Sequence, residues 1–121
     1  MRGRILLVDD SDMVIRLVAH TLKKAGYEVT PTNNGDEALA QLNGQDFDLL
    51  VTDLNMPVKD GITLIREMRH LDDYRFLPAM LFVNNPDENI AEYIHNQGAT
   101  LLFSKNHLKD KLVITVDKLI S

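Results

Sequence analysis

The stretch LLVTDLNMPVKDG, residues 49–61, decides how the rest of the chain reads. Leu49 to Thr52, four residues suited to a core, run without polar alternation into Asp53, then Asn55-Met56-Pro57 and Asp60-Gly61. An unbroken apolar run of this length is the pattern of a strand covered on both faces, and such strands are usually parallel. Three other runs match it, Ile5 to Val8, Ala79 to Val83 and Leu101 to Ser104. Between them apolar residues fall at helical spacing: Val14, Leu17, Val18 and Leu22; Ala38, Leu39 and Leu42; Ile62, Ile65 and Met68; Ile90, Tyr93 and Ile94; Leu108, Leu112, Val116 and Leu119. Gly26 and Gly98 fall where helices should stop, and Ser11 or Asp12 and Asp87 where caps should start them. A further strand near Glu28 to Thr32 contains Pro31, which cannot donate to a ladder, and this places that strand at a sheet edge. The order is β-α repeated five times. It predicts an α/β fold: one doubly wound, five-stranded parallel sheet with right-handed crossovers and helices on both faces.

At 121 residues, 45% hydrophobic and 26% charged, the chain suits one domain, 1–121, with one soluble core. Zero cysteines exclude disulfides and thiolate metal sites, which makes the cytoplasm the expected compartment. No apolar run approaches the roughly 20 residues a membrane helix needs, and no signal-peptide core follows Met1, so no membrane insertion is expected. Eighteen acids against 13 Lys plus Arg leave a net charge of −5 and no basic stripe, which argues against direct nucleic-acid binding.

Each polar residue of interest follows the carboxyl end of a predicted strand: Asp9 and Asp10, Asp53, Asn84, and Lys105. In a parallel sheet those ends share one rim, where ligands of doubly wound folds bind. A single acid at such a position is more often a helix cap or a solvated turn residue. Three acids converging with one lysine are another matter, because their mutual repulsion calls for a compensating cation. Oxygen-only ligation by one or two carboxylates suits Mg2+ better than Zn2+ or a Ca2+ cage.

The combination of ILLVDDS, LLVTDLNMPVKDG and GATLLFSKN resembles the receiver domains of two-component response regulators over the whole chain. DLNMPVKDGITLIREMR and RFLPAM are most similar to the stand-alone chemotaxis type. The resemblance implies the flavodoxin-like strand order 2-1-3-4-5, which agrees with an edge position for Pro31. It also implies site roles. Asp53 is the nucleophile that takes a phosphoryl group from a phosphohistidine on a histidine kinase or histidine phosphotransfer protein. Asp10, Asp53 and the backbone carbonyl of Asn55 ligate Mg2+, Asp9 acts mainly through a bound water, and Lys105 meets a phosphoryl oxygen. Phosphoryl transfer asks chiefly for positioning and charge neutralisation, which a dication on one side and an ammonium on the other supply. At most, then, the chain catalyses its own phosphorylation and dephosphorylation. Pro57 stiffens the loop after Asp53, and Gly61 lets the chain turn into the third helix.

Three positions depart from the family pattern. Val83 stands where a Thr or Ser hydroxyl usually bonds the phosphoryl group, and Leu102 stands at the place of the aromatic that rotates in response; neither can play that part. With Asn84, whose amide is a candidate substitute donor in the loop VNNPDE, these form an altered switch. Asn106 replaces the proline usual after the lysine. A cis bond before a non-proline costs about 2.5 to 4 kcal/mol, so a trans peptide or a strained site is expected, with consequences for the reach of Lys105.

The competing readings are a degenerate receiver that survives as a phosphorylation-independent interaction module, and a haloacid-dehalogenase-like phosphatase, whose D-x-D pattern would need an acid where this chain has Asn55. A nucleotide-binding domain is weaker, since neither glycine-rich phosphate motif occurs. His20, His70, His95 and His107 lack metal-ligand spacing and read as surface residues. With no effector after the fifth helix, output is expected through docking to a downstream protein, unless the chain is part of a longer one.

Overall fold

A computed structural model describes residues 2–84 and 88–120; Asn85, Pro86 and the expected cap Asp87 lie outside the described residues. The elements alternate as β1 (Arg4–Val8), α1 (Asp12–Lys24), β2 (Glu28–Thr32), α2 (Gly35–Gln41), β3 (Leu49–Asp53), α3 (Gly61–Arg69), β4 (Ala79–Val83), α4 (Glu88–Asn96), β5 (Leu101–Ser104) and α5 (Leu112–Ile120). All strand pairs are parallel, in the order β2-β1-β3-β4-β5. Pro31 does sit on an outermost strand.

Strand alternation sorts the core into two layers. Leu6, Val8, Leu50, Leu81 and Val83 face a cluster with Ala38 of α2, Leu64, Ile65 and Met68 of α3 and Ile94 of α4. Ile5, Leu7, Leu49, Val51, Met80 and Phe82 face the opposite cluster, with Val18 and Leu22 of α1 and Leu112 and Val116 of α5. Every residue of β3 and β4 is buried, which is why their sequences show no polar alternation.

Local chemistry starts and stops the helices near the expected places. Ser11 Oγ accepts from Val14 N at the start of α1, Asn34 caps α2 through Glu37 N, and Asp60 caps α3 through Thr63 N. Gly26 and Gly98 follow α1 and α4 with φ of +103° and +108°, a conformation that favours glycine. Two expectations need correction. Of the α4 stripe only Ile94 is buried, while Ile90 and Tyr93 are about half exposed, because α4 covers the margin of the sheet and a narrow contact suffices there. The last helix begins at Leu112 and not near Leu108, since Lys105–His107 forms a 3-10 turn first.

The ends of the chain are tied together by a clasp. Tyr27 Oη donates to Asp117 Oδ1 at 2.5 Å, Arg2 pairs with the same carboxylate at 2.8 Å, and the Arg2 guanidinium lies 5.0 Å over the Tyr27 ring. Burial first, then the Asp117 carboxylate, pushes the Tyr27 phenol up to about 12 from its ordinary 10.0. The folded-state value is raised, so the phenol's contribution is complete below the unfolded value and is lost as pH rises through the folded one. An alkaline ultraviolet titration is expected to show one tyrosine ionising near pH 12. That step should vanish in Tyr27→Phe, and its persistence there would assign it to another tyrosine.

Candidate phosphoryl and cation site

The register of the sheet builds the site. Val8 lies opposite Thr52, Asp53 opposite Phe82, and Val83 opposite Ser104, so β1, β3, β4 and β5 end together on one rim. Asp53 is the last residue of β3, Asp9 and Asp10 follow β1 directly, and Lys105 follows β5. One carboxylate oxygen from each of Asp9, Asp10 and Asp53 lies within 4.8 Å of the others. Lys105 Nζ stands 3.0 Å from Asp53 Oδ1 and 3.6 Å from Asp9 Oδ2. The four residues expected to converge do so.

Their environments differ. Asp9 is fully buried and Asp53 nearly so, while Asp10 is exposed. Asp9 Oδ1 accepts the Ser11 amide at 2.9 Å, and Asp53 Oδ1 accepts the Leu54 amide at 3.0 Å. Asp9 Oδ2 is buried with no hydrogen-bond partner among the described residues. Burial drives the Asp9 carboxyl above its usual range, with the charges of Asp53 and Asp10 adding to it against the Ser11 amide and Lys105. For Lys105 burial works downward, but the hydrogen bond to Asp53 and the charges of Asp9 and Asp53 outweigh it and hold the ammonium above its usual value. A buried, unsatisfied carboxylate oxygen beside two further carboxylates is a donor set that fits a hard dication such as Mg2+.

Beside Asp53 opens a cleft of about 200 Å³ whose walls include Asn55, Val83, Asn84 and Ile90. Asn55, Val83 and Asn84 thus join the site. Leu102 does not: it is half-buried on β5 and packs against the α3-α4 core. No peptide bond among the described residues is cis, and Lys105 still reaches Asp53. The amide of Asn106, which a proline would lack, donates to Ser104 Oγ at 3.2 Å and closes the turn that carries the lysine.

Gly61 has a different reason from the one expected. Its φ is not positive; the requirement is space. A Cβ there would lie 2.2 Å from the Asp53 carbonyl oxygen and 2.7 Å from Leu81 Cδ1. His20, His70 and His95 are exposed, and His107 is half-buried beside Asp110 at 3.4 Å. None of the four belongs to the carboxylate cluster. Sequence reading missed Lys59, which bridges α2 and α3 behind this site, and Ile90 in its cleft wall. Nothing local in the sequence marks either.

A family model for the response regulator receiver domain matches residues 5–117. The chain belongs to that family. This receiver is 36% identical over 121 residues to the response regulator receiver protein CpdR of Brucella abortus, covering 97% of the chain and 96% of that protein. It is 30% identical over 120 residues to the transcriptional regulator NtrC of Salmonella typhimurium, of which it spans only 25%. Among solved structures, the chemotaxis response regulator CheY4 of Vibrio cholerae superposes with a TM-score of 0.91 at 32% identity, covering 97% of this receiver and 98% of that chain. No helix among the described residues is long and apolar enough to cross a membrane.

Proposed function

We propose that the chain is the phosphoaccepting receiver of a two-component phosphorelay, with residues 1–121 acting as one such domain in the cytoplasm. The observation that carries this reading is the meeting of three carboxylates and one ammonium around a nearly buried Asp53. A carboxylate oxygen of Asp53 attacks the phosphorus of a phosphohistidine presented by a histidine kinase or phosphotransfer protein. A P–O bond forms, the P–N bond breaks, and the imidazole leaves with its electron pair and takes up a proton. Lys105, already 3.0 Å from Asp53, neutralises charge on the phosphoryl oxygens. Asp10, Asp53 and the carbonyl of Asn55 would hold Mg2+, with Asp9 acting through a water; bound there, the ion neutralises oxygens of the transferring group. Asn84, on the cleft wall where Val83 offers no hydroxyl, carries a side-chain amide that can donate to the phosphoryl group.

Incubation with acetyl phosphate and Mg2+ is expected to add one phosphoryl group, read by intact mass. Asp53→Asn should abolish it. The second reading, an interaction module that no longer depends on phosphorylation, is favoured by Val83 in the cleft and by a ringless Leu102 outside it. Absence of any adduct on the unsubstituted chain would overturn the first reading in favour of the second. In either case the output is docking to a downstream protein.

A further inference from the structure

The chain between Asp53 and α3 forms a loop whose ends are joined, Gly61 N donating to the Leu54 carbonyl at 2.9 Å. Met56 anchors its first half by burial in the core. Beyond Met56 the chain reverses at Val58, whose φ is +71°, and Lys59 N donates back to the Pro57 carbonyl at 2.8 Å. A bond from residue i+2 back to residue i around such a φ is the rare and strained form of γ-turn, and a β-branched residue is a poor occupant of it. The Val58 side chain is 92% exposed, so its own packing does not hold it there.

Lys59 does. Its stem lies across Gly35 at the start of α2, where a Cβ would come within 2.9 Å of its Cγ and Cδ. Its ammonium, only 14% exposed with its side chain, pairs with Asp36 of α2 at 3.2 Å and with Glu67 of α3. Strained backbone persists only where its surroundings over-determine it, and the contacts flanking Val58 are the burial of Met56 on one side and the Lys59 ion pairs on the other.

We propose that Lys59 is a positioning residue for the loop after Asp53: its ion pairs to Asp36 and Glu67 hold the strained turn at Val58 and thereby keep Asn55 where a cation can use it. The second half of the statement rests on the cation-site reading above. When the ion pairs are lost, Val58 relaxes to negative φ, the stretch from Leu54 to Pro57 samples several conformers, and affinity falls with the fraction that remains competent.

The test uses the full chain and four variants. Lys59→Met keeps the stem over Gly35 but removes the charge; Glu67→Gln removes one pair and leaves Lys59 in place; Val58→Gly removes the objection to positive φ; K59M/V58G combines the two. Mg2+ binding is measured by calorimetry, and amide hydrogen exchange of residues 55–60 is measured without metal. Lys59→Met is expected to weaken Mg2+ binding by about tenfold and to speed exchange in the loop, the size of effect typical of groups that orient metal ligands. Glu67→Gln should shift both in the same direction by less. K59M/V58G should recover most of the affinity, a rescue that a purely stabilising role for Lys59 would not produce. Unchanged exchange in both Lys59→Met and Glu67→Gln, or a double variant no better than Lys59→Met, overturns the proposal. If the unsubstituted chain binds no Mg2+, the cation-site reading falls and Lys59's part in it with it, while exchange still decides whether Lys59 holds the turn.

Discussion

Gly61→Ala is expected to lower the melting temperature by roughly 10 °C or more and to weaken Mg2+ binding with it. The added methyl group would stand 2.2 Å from the Asp53 carbonyl oxygen and 2.7 Å from Leu81 Cδ1. The leucine tip can rotate away. The carbonyl cannot, because Asp53 is the last rigid residue of β3, and any shift of its backbone moves the carboxylate as well. Overpacking against yielding side chains costs about 1 to 3 kcal/mol, and a collision with backbone belongs at or above the top of that range. At about 4 °C per kcal/mol for a domain of this size, the expected fall follows. Gly44→Ala is the matched control: Gly44 has φ of +102° and no atom within 4 Å of a built Cβ, so only the conformational cost of about 1 to 2 kcal/mol applies. Thermal melts of both variants check the contrast. If Gly61→Ala melted no lower than Gly44→Ala, the close approach of α3 to the site would not be what fixes Asp53.

Asp9→Asn is expected to push two measurements in opposite directions: the metal-free protein melts higher, and Mg2+ affinity drops by about 10- to 100-fold. The buried Oδ2 of Asp9 has no hydrogen-bond partner among the described residues, and two other carboxylates stand beside it. Its raised pKa means that the charged form is disfavoured on balance in the metal-free fold, despite Lys105 at 3.6 Å. An amide of the same shape keeps the acceptor for Ser11 N and removes the buried charge, while Lys105 retains Asp53 at 3.0 Å. On this account the cluster costs stability that a bound dication would return by mass action, the more so the tighter it bound. Thermal melts with and without Mg2+ read both effects. A metal-free Asp9→Asn that melts lower than the unsubstituted chain would mean that the attraction of Lys105 outweighs burial and repulsion, and the account of the site's energetics would fail.

What could be read from the chain and what could not divides along physical lines. The sheet was legible because both of its faces are covered, so Leu49 to Thr52 and Ala79 to Val83 carry an apolar signal that no surface strand would show. Strand order came from family resemblance, and Pro31 fixed only that β2 lies at an edge. The site was legible because a parallel sheet gathers strand ends: Asp9, Asp53 and Lys105 needed no contact information, only the rule that their strands point the same way. Side-chain contacts that tie loops to helices left no such trace. Lys59 meets Asp36 and Glu67 across two elements, and Arg69 donates to the carbonyls of Tyr74, Leu77 and Gly98 from three directions; neither pattern has a sequence period. Helical spacing alone overstated burial at Ile90 and Tyr93, because spacing fixes a face without fixing how much of that face the sheet's margin can cover. Gly61 was singled out for the wrong property. A turn and a close approach both select glycine, and the φ of Gly61 with its distance to Asp53 O tells them apart.

The outer rim at β2 has a consequence for self-association. Glu28 N donates inward to the Gly3 carbonyl, so by alternation the amides of Thr30 and Thr32 also face β1, while those of Val29 and position 31 face away. Proline supplies no hydrogen at the second of these. A foreign ribbon laid against this flank would find one of its two outward amide donors absent, which weakens pairing there against fibril-like growth and leaves the flank along Leu101–Ser104 as the side where such growth must be prevented by other means.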